Sequence, residues 1–295
     1  MRQLRQTIIV VFLGWFALML SASAADRGAL FKVSGHGHTM HLFGTMHAGM
    51  PSYYPLEPRI QTAMDNASVL ALEIDASADP AAMAQAVQTY GMRDLQQSAM
   101  PARLKPRLDK ALRTYALDPQ IVGAVKPWLV ATALTMGEFS VQGLRPDLAV
   151  DAHLAQLARA RKVPIIELES LASQLGLFNR LSHKDQWQLL ADTVDNIETG
   201  RQRTDVRKII AAWSNADMKA LDALAVEAES DTTLAGRFVQ KVLLEERNGP
   251  LADKLEALLK KQDKAVAAMG VLHLVGRVSV PAQLRARGIT VERIY

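Results

Sequence analysis

The chain has 295 residues, of which 49% are hydrophobic, 22% charged and 5% aromatic, a composition typical of a globular protein that is long enough to bury a sizeable core. Its formal charge of +4 comes from interspersed acidic and basic residues without a long basic run, which argues against nucleic-acid binding. Because it contains no cysteine, disulfides, thiolate metal ligands and cysteine nucleophiles are excluded.

The N-terminus has the layout of a secretory signal peptide over residues 1–24. Arg2 and Arg5 precede an apolar stretch, residues 8–20, and small residues then lead to an expected cleavage site. The apolar stretch is short for a membrane span, which needs about 20 residues, so we expect cleavage and no stable membrane span. Residues 25–295, with 32 of the 34 basic residues against 30 acidic ones, would carry a charge of +2. We expect this mature chain to be periplasmic or secreted.

Three short strands are predicted in the first part of the mature chain. Residues 30–33 and 39–43 are apolar runs joined by a histidine-containing turn, and residues 69–74 form a third run. Between the second and third runs, a loop with three prolines and a helix starting near Pro58 are predicted.

The middle of the chain is predicted to be mostly helical. Apolar residues recur at spacings of three and four from Met83 onward. A short buried strand is predicted over 163–168, and helix breaks are predicted at Thr199-Gly200 and near 248–250.

The last part of the chain returns to strands, predicted over 265–272 and 288–294 with a helix between them. Strands therefore cluster at both ends of the mature chain and must pair if they share one sheet. We predict an α/β (α+β) fold in which N- and C-terminal strands build a mixed central sheet and the helices form a large middle insertion. The prediction is one domain, residues 25–295, rather than two in tandem.

Two copies of a Gly-x-x-His pattern carry the first functional signal. Gly44 precedes His47 and Gly270 precedes His273, each pair at the end of a strand-like run. The glycines are expected to let the backbone turn tightly and to place both imidazoles at the rim of the sheet, where functional groups of open α/β sheets gather. Imidazole is a common metal ligand and an acid or base near pH 7. The alternative is a pair of core or capping histidines.

Glu73 carries the second signal, because it interrupts an otherwise apolar strand. A buried carboxylate must be paired, protonated or bound to a metal. Together with His47 and His273, it could hold a divalent ion such as zinc, manganese or cobalt. The alternative is a structural carboxylate that bonds to an arginine or to backbone amides.

Four further residues are candidates for the same site. Glu167 and Glu169 share one face of a strand end, and we favour Glu169 because it lies closer to that end. Arg247 suits a carboxylate or an oxyanion, and Asn248 follows it, although a solvated helix end is the alternative. The chain has no Gly-x-Ser-x-Gly, His-Glu-x-x-His, P-loop or dinucleotide fingerprint.

The order of these motifs resembles the TraB/GumN family over nearly the whole mature chain. The matching segments are Leu42-Phe43-Gly44-Thr45-Met46-His47, Leu72-Glu73-Ile74-Asp75, Lys126-Pro127-Trp128, Ile166-Glu167-Leu168-Glu169-Ser170 with Gln174, Arg247-Asn248 and Gly270-Val271-Leu272-His273. Where the family commonly has Gly-Val-Asp, this chain has Ala149-Val150-Asp151 and keeps the acid.

The resemblance implies a mixed sheet surrounded by helices, a fold shared with the Tiki proteases and erythromycin esterases. Tiki-type relatives are metal-dependent proteases. By similarity, His47, Glu73 and His273 would form the metal-binding or catalytic core. Glu169, Arg247 and Asn248 match family positions more loosely.

The sequence thus favours an exported metal-dependent hydrolase acting on a peptide or small-molecule substrate. A divalent ion would activate water. Glu73 would be the general base if it is not a ligand, and Arg247 would stabilise the oxyanion. One alternative is a non-catalytic periplasmic protein that binds a metal or small ligand, and another is a metal-free esterase that uses a His-Glu pair.

Overall fold

The computed structural model describes residues 26–93 and 98–295, so the predicted signal peptide lies outside the described part. At the centre of this part is a six-stranded sheet with the order β4-β3-β5-β2-β1-β6. Its strands are β1 (Leu30–Gly35), β2 (His38–Thr45), β3 (Leu70–Leu72), β4 (Ile165–Glu167), β5 (Ala265–Gly270) and β6 (Thr290–Arg293).

The sheet joins both ends of the described chain. Strand β2 pairs parallel with β5, β5 with β3 and β3 with β4, whereas β1 pairs antiparallel with β2 and β6. The predicted α/β fold with a mixed sheet built from N- and C-terminal strands is therefore confirmed. Because four neighbouring strands are parallel, their carboxyl ends meet at one edge of the sheet.

Helices surround the sheet and form the middle of the chain. They are α1 (Pro58–Asp65), α2 (Pro80–Gly91), α3 (Lys105–Thr114), α4 (Ile121–Ala124), α5 (Pro127–Val141), α6 (Val150–Arg161), α7 (Leu171–Gly176), α8 (His183–Glu198), α9 (Arg201–Ser214), α10 (Met218–Glu229), α11 (Leu234–Arg237), a π-helix (Phe238–Glu245), α12 (Glu246–Leu259) and α13 (Val280–Ala286). Short 3₁₀ turns span Pro51–Tyr53, Pro146–Leu148, Leu177–Arg180 and Val271–Leu274. None of the described helices is long and apolar enough to cross a membrane.

Two hydrophobic clusters hold the described residues together. The larger one surrounds the sheet, where α6 packs against β3 and α12 packs against β2 and β5. The smaller one lies in the helical middle, where α5 packs against α8 and buries Trp128, Leu134, Leu190 and Phe238. The helical insertion therefore has a hydrophobic core of its own beside the sheet.

The helix break predicted near residues 248–250 is wrong. The π-helix runs directly into α12, and Pro250 lies inside α12. A proline disturbs the hydrogen bond to the carbonyl four residues earlier. Here that residue is Glu246, at the junction of the π-helix and α12, so the proline disturbs the helix only at that junction. The break predicted at Thr199-Gly200 is present, since Gly200 separates α8 from α9 with a left-handed φ of 74°.

Candidate active site at the carboxyl edge of the sheet

Each of the four parallel strands ends next to a functional side chain. His47 lies two residues after β2, Glu73 directly follows β3, Glu169 lies two residues after β4, and His273 lies three residues after β5. Because the strands are parallel neighbours, these side chains project from the same edge, which is where open α/β sheets place their ligands. The topology therefore brings together residues that are up to 226 positions apart.

Gly270 marks the point where three of these side chains converge. A Cβ atom built on Gly270 would lie 3.4 Å from Glu73 Oε1, 3.5 Å from His47 Nε2 and 3.8 Å from His273 Cδ2. The φ of Gly270 is −49°, which other residues readily adopt. The prediction that Gly270 is needed for a tight backbone turn is therefore wrong. Its missing side chain instead leaves a small space between the three groups.

Gly44 has a related packing role in the first motif. A Cβ atom built there would lie 2.8 Å from Val271 Cγ2 and 3.2 Å from Val271 Cα. Val271 belongs to the second Gly-x-x-His segment, which packs directly on the first. The two motifs are thus in contact through Gly44 and Val271, and this contact joins β2 to the turn after β5.

Glu73 is a buried carboxylate, with 6% of the residue exposed. Its Oε1 accepts a hydrogen bond from the Gly270 N–H at 2.6 Å, its Oε2 accepts one from Arg247 Nη2, and Oε2 lies 3.8 Å from His273 Nε2. Burial raises the pKa of Glu73, but the charges of the two site histidines and Arg247, together with the Gly270 hydrogen bond, outweigh it and lower the pKa to about 2. The carboxylate is therefore ionised at neutral pH.

Arg247 joins two strand ends through their carboxylates. It donates from Nε to Glu169 Oε1 at 3.0 Å, from Nη2 to both Glu73 and Glu169, and from Nη1 to the Leu243 carbonyl at 2.8 Å. Gln174 Nε2 bonds the same two carboxylates at 2.8 and 3.2 Å. Charge-assisted bonds of this kind fix geometry strongly. Arg247 is thus a partly buried bridge, with 13% of its side chain exposed, not a solvated helix end.

His273 is held by the second residue of the Arg-Asn pair. Its Nδ1 lies 2.6 Å from Asn248 Oδ1, while Asn248 Nδ2 donates to the Val278 carbonyl at 2.9 Å. Because an amide oxygen can only accept, the ring proton resides on Nδ1 and leaves the Nε2 lone pair on the side of Glu73. Burial lowers the pKa of His273 to about 4, so the ring is neutral near pH 7.

His47 is held in the same way by a carboxylate. Its Nδ1 lies 2.8 Å from Asp151 Oδ2, in the first turn of α6. Removal of the ring from water lowers the pKa of His47, but this effect is limited because 63% of its side chain is exposed. The hydrogen bond to Asp151 and the negative charges of Asp151 and Glu73 outweigh it and raise the pKa. The second oxygen of Asp151, Oδ1, is buried without a hydrogen-bond partner in the described part of the chain.

The side chains at this site are of the types that bind divalent metal ions, although their spacing does not form a closed set of ligands among the described residues. Metal-binding histidines commonly donate their second ring nitrogen to an oxygen acceptor, and both imidazoles do so here. The Nε2 atoms of His47 and His273 with Glu73 form a nitrogen and oxygen donor set that suits zinc and related ions. Within residues 26–93 and 98–295, no group of three or more His, Asp or Glu side chains is clustered tightly enough to hold an ion. The three side chains would therefore have to close in around one.

Sequence reasoning assigned no site role to Asp151 or Gln174, although the structure places both at the site. The Ala149-Val150-Asp151 segment was the available signal for Asp151, because the family resemblance keeps an acid there. Gln174 had the same kind of signal, since it follows Ile166-Glu167-Leu168-Glu169-Ser170 in the family resemblance, but a glutamine in a short helix is usually a surface residue. Each acts by holding a neighbouring side chain: Asp151 holds His47, and Gln174 bonds Glu73 and Glu169.

Comparison with known proteins identifies the relatives of this chain. The model of the TraB/PrgY/gumN family matches residues 29–293. Proteins described as "Uncharacterized protein YbaP", from Shigella flexneri and Escherichia coli (strain K12), are each 28% identical to it over 254 residues, which cover 85% of this chain and 89% of theirs. No solved structure matches it.

Proposed function

The chain belongs to the TraB/PrgY/gumN family, and on that premise we propose that it is a peptidase-like, metal-dependent hydrolase of the cell envelope. The observation that carries the proposal is the convergence of Glu73, His47 and His273 around Gly270. A site of this kind needs polar groups whose orientation is set before the substrate arrives. Here each of these three side chains already has a hydrogen-bond partner that fixes its orientation.

The metal would be held by His47, Glu73 and His273. When bound, a divalent ion supplies a polarised carbonyl and a water of lowered pKa. Zinc, manganese and cobalt all accept this donor set. Asp151 Oδ1, which lies next to His47 and has no hydrogen-bond partner among the described residues, supports the proposal, because a buried carboxylate oxygen is costly to leave unpaired and a bound ion or water would satisfy it.

The chain's own residues divide the remaining work. Asn248 keeps the His273 proton on Nδ1, and Asp151 accepts a hydrogen bond from Nδ1 of His47, so His273 Nε2 faces Glu73 and His47 Nε2 faces Gly270. Both Glu73 oxygens already accept hydrogen bonds, so Glu73 is better suited to holding positive charge than to removing a proton. Arg247 adds a fixed positive charge that stabilises a developing oxyanion.

The first test measures metal content and turnover together. The protein is purified without a histidine tag, analysed for bound metal and assayed against a peptide library. We expect His47→Ala and His273→Ala to lower kcat/KM by about 100-fold and to reduce metal binding. His183→Ala is the matched control, because His183 is exposed at the start of α8 and its loss should change neither quantity.

Two outcomes would contradict this proposal. Turnover that is unchanged in His47→Ala would place the chemistry elsewhere. Tight binding of a metal or small ligand without any turnover would instead indicate a binding protein that uses the same residues.

A second candidate is a metal-free esterase. It is favoured by the His47–Asp151 hydrogen bond, which resembles the pairs that activate a general base, and by the lack of a tight group of three metal-ligand side chains in the described residues. Turnover of a nitrophenyl ester that survives exhaustive chelation would favour this candidate. Loss of turnover on chelation, with recovery on adding back a divalent ion, would favour the metal-dependent hydrolase.

A further inference from the structure

The strand nearest the candidate site at the edge of the sheet has an open side. β4 is the last strand in the sheet order. It bonds to β3 through the Pro164 carbonyl and the Leu168 N–H. Because alternate residues of a strand bond to opposite sides, the N–H and C=O groups of Ile165 and Glu167 point away from β3. These groups have the spacing that another extended chain requires.

A groove lies beside this open side of β4. It has a volume of about 730 Å³ and is lined by α2, by Ile165 and Glu167 of β4, and by the start of α7. The α2 wall presents the small side chains of Ala82 and Ala86. The volume lies in the range of ligand-binding pockets, roughly 300–1,000 Å³, and the small side chains leave room for the backbone of a second chain next to β4.

The charge of the groove is acidic. Among the described residues, its titratable lining residues are Asp75, Asp79, Glu167 and Tyr90, and none of the residues that line it there is a lysine or arginine. Arg159 neutralises Asp75, which leaves two carboxylates. Asp79 also accepts hydrogen bonds at the start of α2, but its charge remains. A ligand that carries lysine or arginine side chains is therefore favoured electrostatically.

The groove leads to the candidate active site. Its lining continues to Ser170 and Leu171, directly after Glu169, whose carboxylate bonds to Arg247 at 3.0 Å. A chain lying along β4 would therefore have one end beside the carboxyl edge of the sheet, where the candidate catalytic groups are.

We propose that this groove binds an extended, basic peptide segment, which pairs with β4 as an additional strand. Addition of a strand to a sheet edge is a known mode of peptide recognition, in which main-chain hydrogen bonds provide affinity and side-chain pockets provide specificity. Only a peptide offers alternating donors and acceptors that match Ile165 and Glu167. Its role as a substrate rests on the proposed function, whereas its binding does not.

The test uses an eight-residue peptide of alternating valine and lysine with a fluorescent label, measured by fluorescence anisotropy. Two modified peptides carry N-methyl groups on alternate residues. In one of them the valines are methylated, and in the other the lysines are. Only one register faces β4, so we expect one modified peptide to bind at least about tenfold more weakly and the other to bind like the parent. The effect of register tests strand pairing directly, since composition and charge are identical.

Variants of α2 and β4 test the location. Ala82→Phe fills the groove and should weaken binding about tenfold or more, while Ala84→Phe, on the exposed side of α2, is the matched control and should change binding less than about twofold. Asp79→Asn and Glu167→Gln keep the acceptor oxygens. They should weaken binding severalfold at low salt and much less at high salt.

Equal affinity for all three peptides, or equal affinity of Ala82→Phe and Ala84→Phe, would overturn the proposal, as would the absence of binding up to about 1 mM peptide. Turnover of a small nitrophenyl ester is measured in parallel, because it does not need the groove. The absence of both ester turnover and turnover of the peptide library would contradict the proposed function and leave the binding result valid. Ester turnover that persists in Ala82→Phe while peptide binding is lost would support the proposal and show that the variant is folded.

Discussion

Replacing Gly270 by alanine would place a methyl group in the space that the candidate catalytic groups surround. The new Cβ atom would lie 3.4 Å from the nearest heavy atom, Glu73 Oε1, which is ordinary van der Waals contact, and the φ of −49° suits alanine. The folded state should therefore tolerate the change. We expect the free energy of unfolding to stay within about 1 kcal/mol, because alanine also reduces the entropy of the unfolded chain by about 0.4–1 kcal/mol.

Activity should respond very differently from stability. A displacement of about 1 Å within a catalytic group can cost about 100-fold in rate, and the methyl group excludes water or an ion from the point where His47 Nε2 and Glu73 Oε1 converge. We therefore expect Gly270→Ala to lower kcat/KM by about 100-fold and to weaken metal binding. Its thermal unfolding should remain close to that of the original chain.

Gly44→Ala is the matched control, because it makes the same chemical change in the other motif. Its Cβ atom would lie 2.8 Å from Val271 Cγ2, so the packing must shift, at a cost of about 1–3 kcal/mol. Offset by the entropy gain of about 0.4–1 kcal/mol, the net destabilisation is at most about 2.6 kcal/mol, or a fall in Tm of up to roughly 10 °C. Urea unfolding and turnover measured on both variants provide the assay. Full activity and metal binding in Gly270→Ala would refute the assignment of the reaction space.

Three further predictions concern the groups that hold the site. Arg247→Met leaves the Glu73 and Glu169 carboxylates buried without their partner, so urea unfolding at pH 7 should show a loss of about 3–5 kcal/mol; a loss below about 1 kcal/mol would contradict the pairing. Asn248→Ala removes the acceptor of His273 Nδ1, so calorimetric titration should show metal affinity about 10–100-fold weaker, and unchanged affinity would count against His273 as a ligand. Because the pKa of His273 is lowered to about 4, the unfolded chain takes up its proton near pH 6.5 while the folded one does not, so stability should fall as the pH drops from 6.5 to 4. His273→Gln should flatten that part of the stability profile, and an unchanged slope would be evidence against the buried neutral ring.

The places along the chain at which strands and site residues occur could be predicted from local patterns. The apolar runs before His47, Glu73, Glu169 and His273 all correspond to strands of the sheet. Each strand end was visible because a run of apolar residues stops at a glycine or an acid. The length of β3 was overestimated, since it ends at Leu72, because an apolar pattern does not show where ladder hydrogen bonds stop.

The predicted reasons for individual residues were less reliable than their positions. The break near 248–250 assumed that a glycine and a proline end a helix, but packing of α12 against β2 and β5 continues the helix. Buried Leu251, Ala252 and Leu255 contribute to that packing. Tertiary contacts therefore outweighed the local signal, because the apolar face of α12 stabilises the helix by more than its first turn costs.

The sequence by itself determined the elements, the mixed α/β class and the residues that end each strand, because these follow from periodicities of two and 3.6 residues within short windows. Only the tertiary structure decided that β5 lies between β2 and β3. It also decided that Asp151 holds His47 and that Arg247 joins two carboxylates. Such contacts depend on which distant segments pair and on the room that Gly44 and Gly270 leave between them. They are set by the packing of the whole core, which no local pattern encodes.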